Sequence, residues 1–175
     1  MKLFEVTTVV IGSFFVAWLG YGYFFESRIE QPAYKSVTKN KNYEIRIYEK
    51  ITIASHLMTN ESQSFRELFK YIDGKNNKTK KIPMTAPVIE YNNEMMFVLP
   101  KEITDIPKPN NENIKITQIG PLKVAVKTFS GSAKNYLKVK TKLINELKRD
   151  GVKSSSKFYL SQYNSPWVFP LLRKN

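Results

Sequence analysis

From Tyr34 onward the chain alternates apolar and polar residues in short runs separated by turn residues. Tyr43-Glu44-Ile45-Arg46-Ile47-Tyr48 sets Tyr43, Ile45 and Ile47 on one face of a strand and Glu44, Arg46 and Tyr48 on the other. Ile51 to Met58 alternates in the same way after a two-residue break, and the spacing predicts the hairpin partner of the first strand. The period then lengthens. Phe65, Leu68, Phe69 and Ile72 form one apolar stripe of a helix, with Asn60 as its N-cap, Gln63 three residues on and Gly74 past its end. Ile82 to Tyr91, an Asn92-Asn93 turn and Glu94 to Leu99 follow as an outgoing and a returning strand. Beyond the loop from Pro100 to Asn113, Ile114 to Ile119 and Leu122 to Phe129 read as a second hairpin around Gly120-Pro121. A second helix follows Ser130-Gly131-Ser132 and ends near Asp150-Gly151, with Tyr136, Val139, Leu143, Ile144 and Leu147 as its buried stripe. Phe158 to Tyr163 reads as a last strand. The halves repeat one order: hairpin, amphipathic helix, glycine, basic loop, strand. An internally duplicated α+β unit is expected, with two helices covering a strongly twisted antiparallel sheet.

The start of the chain is different. Val6 to Phe25 carries no charge and is long enough to cross a hydrocarbon core, with Trp18, Tyr21 and Tyr23 grouped at its distal end. Gly20-Tyr21-Gly22 makes a poor cleavage site, so an uncleaved single-pass anchor is expected over 1–25, a linker over 26–33 and the folded domain over 34–175. Lys2 lies on one side of this stretch and Arg28, Lys35, Lys39 and Lys41 on the other. That balance leans weakly towards a cytoplasmic domain and leaves the side of the membrane open.

Composition narrows the chemistry. The 28 Lys and Arg outnumber 15 Asp and Glu, for a net charge of +13, but the surplus is spread through Lys-Asn-rich patches. No nucleic-acid-binding motif accompanies it, and none is expected to act. The absence of cysteine excludes disulfides, thiolate catalysis and Cys-ligated metals. His56 is the sole histidine and has no partner for a metal site or a nucleophile, so it stays a weak candidate axial ligand beside Met58. Glu44 and Arg46 are expected to pair on one strand face. No acidic pair has an acid–base spacing and there is no phosphate loop, so catalysis is not expected. Lys81-Ile82-Pro83-Met84-Thr85-Ala86-Pro87-Val88 brackets a short apolar run with prolines that cannot donate to a sheet, which suits a sheet edge or rim. Its Met84 and Ala86 share a face fit for the wall of an apolar groove. Phe65, Phe69, Met84, Phe129, Trp167 and Phe169 lie close in sequence to Arg66, Lys70 and Lys81. A flat apolar ligand bearing carboxylates would suit that mixture, and ordinary core packing accounts for it about as well.

Tyr43-Glu44-Ile45-Arg46, Phe65 to Ile72 with Gly74 and Asn76, and Lys81 to Val88 with its Met-Thr-Ala-Pro-Val core together resemble the SOUL haem-binding family. Pro107-Lys108-Pro109-Asn110, Phe129-Ser130-Gly131, Tyr163-Asn164-Ser165-Pro166-Trp167 and Arg173-Lys174-Asn175 continue the resemblance in order, from about Ile29 to the end. The resemblance implies a distorted eight- to nine-stranded antiparallel β-barrel with two α-helices from a duplicated half. It also implies non-covalent binding of haem or a related tetrapyrrole in an apolar groove along the first helix. Carried onto this chain, the groove residues are Phe65, Leu68, Phe69 and Met84, with Lys70 meeting a propionate and Trp167 and Phe169 in a flanking tail. Ile47 stands where some members carry a histidine, so binding by packing and charge is implied. The expected function is a membrane-anchored tetrapyrrole carrier, buffer or sensor without catalysis. The alternative is a sensing or protein-interaction module whose groove takes another apolar ligand.

Overall fold

The structure, a computed structural model, describes residues 29–164 and 173–175. The expected anchor over 1–25, and Trp167 and Phe169 in the tail, lie outside them. Among the described residues no helix is long and apolar enough to cross a membrane.

Among the described residues the fold is α+β with two α-helices, and the ladders between its strands are antiparallel. The strands are β1 (Tyr34–Lys39), β2 (Glu44–Tyr48), β3 (Ile51–Leu57), β4 (Val88–Tyr91), β5 (Glu94–Val98), β6 (Ile114–Ile119), β7 (Leu122–Val126) and β8 (Leu160–Gln162). The helices are α1 (Glu61–Ile72) and α2 (Tyr136–Arg149). The barrel expectation needs correction. Among the described residues the strands form a three-stranded sheet, β1-β2-β7, and a five-stranded sheet, β6-β3-β5-β4-β8, with no ladder closing them into a ring.

The two expected hairpins are also corrected. β2 does not pair with β3, nor β6 with β7. Instead β2 pairs with β7 (Tyr48 opposite Leu122) and β3 with β6 (Ile51 opposite Ile119). The register is the same on both sides, so 44–56 and 114–126 form one long ribbon that bends at Glu49-Lys50 and Gly120-Pro121 and passes from sheet to sheet. Pro121 has no N–H for the ladder. Gly120 has φ of 99°, and a Cβ there would stand 3.1 Å from the Glu49 carbonyl oxygen. Strands adjacent in sequence pair as hairpins at β1–β2 and at β4–β5, where Asn92 and Asn93 both have positive φ (49° and 61°), as a tight two-residue turn requires. On the far side the sheets approach again. Phe129 and Asn175 exchange backbone hydrogen bonds (3.0 and 2.9 Å), and the Tyr163 N–H donates to the Lys174 carbonyl at 3.1 Å.

Each helix covers the sheet of the strand before it. Asn60 caps α1 by accepting from the Gln63 N–H at 3.1 Å, and the helix stops before Gly74, whose φ is 107°. Its buried side is Ser64, Leu68, Tyr71 and Ile72, which meet Ala54, Met95, Phe97 and Ile114 on one face of the five-stranded sheet. Burying each large apolar side chain there contributes about 1.5–3 kcal/mol. α2 sets Leu143 and Leu147 on Tyr43 and Ile45 of β2. The other face of the five-stranded sheet, with Ile53, Met96 and Val98, looks away from α1. The order bent run of two strands, helix, positive-φ glycine thus occurs twice, as β2–β3, α1 and Gly74 and as β6–β7, α2 and Gly151.

Candidate functional site

The stripe of α1 is turned from its expected setting. Tyr71 lies in the core because its hydroxyl can donate to the Pro107 carbonyl at 2.9 Å, and burial pushes its pKa up to about 12. Leu68 is 0% exposed at the centre of the contact. Phe65 and Phe69 are left on the flank: Phe65 is half-buried and Phe69 is 46% exposed. Their rings stack at 6.2 Å and 13°, and Phe65 is seated edge-on against Phe97 at 5.2 Å. A ring in water is therefore backed by a ring anchored in the core.

Charged residues share the exposed side of the same helix. Lys70 is exposed and its ammonium meets Glu67 at 2.7 Å. This Lys70 contact, first among the causes, holds the Glu67 carboxyl below its usual range, and Asn111 also donates to it at 3.1 Å. Arg66 is exposed and has no carboxylate at ion-pair distance among the described residues. An incoming carboxylate could meet Arg66 directly or take Lys70 over from Glu67. Met84 is half-buried and packs against the same core cluster as Phe65. Its segment is fixed by backbone rather than by an edge strand. Ile82 N–H donates to the Ile72 carbonyl (2.8 Å), Ala86 N–H to the Glu30 carbonyl (2.9 Å), and the Thr85 hydroxyl to the Val98 carbonyl (2.6 Å). Asn76, buried after α1, accepts from the Lys78 and Lys80 N–H groups and donates to the Tyr71 and Lys80 carbonyls, so it shapes the basic loop.

His56 is 8% exposed under α1, and its Nδ1 shares a hydrogen bond with the Ser64 hydroxyl at 3.1 Å. Serving as a ligand would mean giving up that bond. No group of three or more His, Asp or Glu side chains is placed to hold a metal among the described residues. The residues at the flank fit haem as a ring held by stacking and charge.

A second feature was not anticipated. A cavity of about 670 Å³ lies between the sheets and beneath α2, with Ile51, Ile89, Met96, Ile119, Val124 and Leu143 among its lining. One wall is polar. The Arg46 guanidinium is bound to Glu44 (2.6 Å), reaches the Tyr48 hydroxyl (3.3 Å) and lies 4.1 Å from the centre of the Tyr34 ring. Burial works against the Arg46 charge, but the Glu44 carboxylate and Tyr48 offset it and its pKa is raised. The expected Glu44–Arg46 pair is thus present. Tyr163 stands beside Tyr48, and burial drives its pKa upward. The sequence hides this cavity because Tyr163 and Lys174 reach it from the opposite end of the chain.

The described residues form a small α+β protein with a half-exposed aromatic pair on the flank of its first helix. A family model described as SOUL heme-binding protein matches residues 29–175. The chain belongs to that family. Similar proteins are "Heme-binding protein 2" from Mus musculus and from Homo sapiens, each 32% identical over 127 residues, covering 63% of this chain. The matched region spans 60% of the length of each relative.

Proposed function

We propose that this chain is a non-catalytic haem- or tetrapyrrole-binding protein, a carrier, buffer or sensor, that holds the ring on the outer flank of α1. The stacked pair of half-exposed Phe69 and core-anchored Phe65 carries the reading. The macrocycle lies against Phe69 with Met84 behind it, and Lys70 and Arg66 take the propionates. Leu68 contributes from beneath, by seating the helix. Trp167 and Phe169 belong to the same reading as the flanking tail, and 1–25 as a membrane tether. The names of the two relatives support haem as the ligand class.

Titration of haemin into the full chain is expected to give a saturable, shifted Soret band. Lys70→Ala should weaken binding by roughly 1–2 kcal/mol, the worth of a charge-assisted contact at a partly exposed site. Phe65→Ala, Phe69→Ala and Lys70→Ala combined should abolish saturation, and an unaltered titration would refute the site.

The cavity favours a second reading, an apolar anion other than haem held between the sheets. Its lining joins aliphatic side chains to Lys140, Lys153, Lys157 and Lys174. A silent Soret region, with a co-purifying lipid or pigment displaced by Val124→Trp, is the outcome that would favour it.

A further inference from the structure

The outward half of α2 carries a pattern that packing on the sheet does not use. Leu137, Thr141, Ile144 and Lys148 follow one another at helical spacing, and Lys138, Lys142, Asn145 and Arg149 run beside them. All eight are exposed, and Leu137 is 67% exposed. Lys138, Thr141, Lys142, Asn145 and Arg149, with Glu146 at the base, line a shallow groove of about 610 Å³.

Apart from Arg149, which pairs with Asp150, the positive charge here is not neutralised from within. Glu146 is turned inward, bound to Lys127 at 2.7 Å. Asp150 accepts from Arg149 and from the Tyr43 hydroxyl, each at 3.0 Å. Among the described residues no carboxylate lies at ion-pair distance from Lys134, Lys138, Lys142, Lys148 or Lys153. Lys140 rests over the Phe158 ring at 4.6 Å instead.

We propose that this face docks on a membrane surface containing anionic phospholipid. Lysines along one helix face gain from a negative headgroup layer, and the aliphatic tips of Leu137 and Ile144 have a place at the boundary of headgroups and acyl chains. A nucleic-acid strand would call for aromatic platforms, and none of the eight exposed residues is aromatic. The docking needs no tetrapyrrole and is independent of the flank of α1.

The absence of cysteine makes the test direct. Thr141→Cys carries an environment-sensitive fluorophore at the centre of the face in the full chain, which is mixed with lipid nanodiscs of phosphatidylcholine with or without phosphatidylserine. Emission is expected to rise and shift to the blue only with phosphatidylserine, and to revert at high salt. The same label at Glu112→Cys, on the loop before β6, should not respond. Lys138→Glu with Lys142→Glu should weaken the response at least about tenfold, while circular dichroism and the haemin titration stay as before. Equal emission on both discs, a phosphatidylserine response that survives the charge reversal, or a response to duplex RNA without one to phosphatidylserine would overturn the proposal.

Discussion

Leu68 and Phe69 are neighbours in α1 with opposite surroundings, one sealed in the core and the other half in water. Leu68→Ala should cost about 2–5 kcal/mol of stability by opening a cavity against Ala54 and Phe97. Phe69→Ala should leave the unfolding free energy from urea denaturation within about 0.5 kcal/mol of its original value, as for an ordinary surface change, yet lower haemin affinity. A loss of affinity only in proportion to lost stability would remove Phe69 from the site. Periodicity named both residues but could not separate them, because a stripe of Phe65, Leu68, Phe69 and Ile72 fits either rotation of the helix. Tyr71 settles the rotation, and its buried place depends on a carbonyl at Pro107 far along the chain. His56 was legible as a lone histidine on the face of Ala54, and its bond to Ser64 gives it a packing role.

The second helix is held by more than its leucines. Lys127 and Glu146 meet at 2.7 Å with side chains 14% and 8% exposed, and Lys127 also donates to the Asn42 carbonyl at 2.6 Å. Glu146→Ala would strand a buried cation and should cost about 3–5 kcal/mol, whereas Lys127→Met with Glu146→Leu should come out near neutral. Chemical denaturation of the three variants tests this, and a double variant as unstable as the single one would contradict it. The individual strands were legible from alternation, but their partners were not. Glu49-Lys50 and Gly120-Pro121 have the length and residues of hairpin turns. A period of two identifies a strand without saying which neighbour it pairs with. The bend arises because the two breaks lie opposite one another in a shared register, visible only when both strands are seen together.

At the scale of the molecule, family motifs spread from Tyr43 to Asn175 made the α+β class and the ligand class readable. The division into two sheets and the cavity between them depend on contacts no motif reports. Its acid response follows from its ion pairs. Arg46 holds Glu44, Lys70 holds Glu67, Lys101 holds Glu49, Lys78 holds Asp105, and Arg149 holds Asp150, and each carboxyl has a lowered pKa. Their stabilisation is complete above the unfolded carboxylate values and is lost as pH falls through the lower folded ones, so Tm should stay level near neutrality and fall below about pH 4. Glu90 has the opposite sign: burial raises its pKa, Glu61 adds to the rise, and Gln162 donates to it at 2.6 Å. Its contribution is present below the unfolded value and lost as pH rises through the folded one. Glu90→Gln should therefore raise Tm at pH 7 and lose that gain in acid, and an equal change at both would contradict the assignment. The two faces of the five-stranded sheet separate the readings of the ligand, with the stacked phenylalanines on the α1 side and the cavity on the other. Bound haemin broadens nearby amide resonances, so its effect on the labelled full chain locates it directly. Broadening centred on Phe65, Phe69, Lys70 and Met84 is the result expected, and broadening centred on Leu122 to Val126 and Leu160 would contradict it.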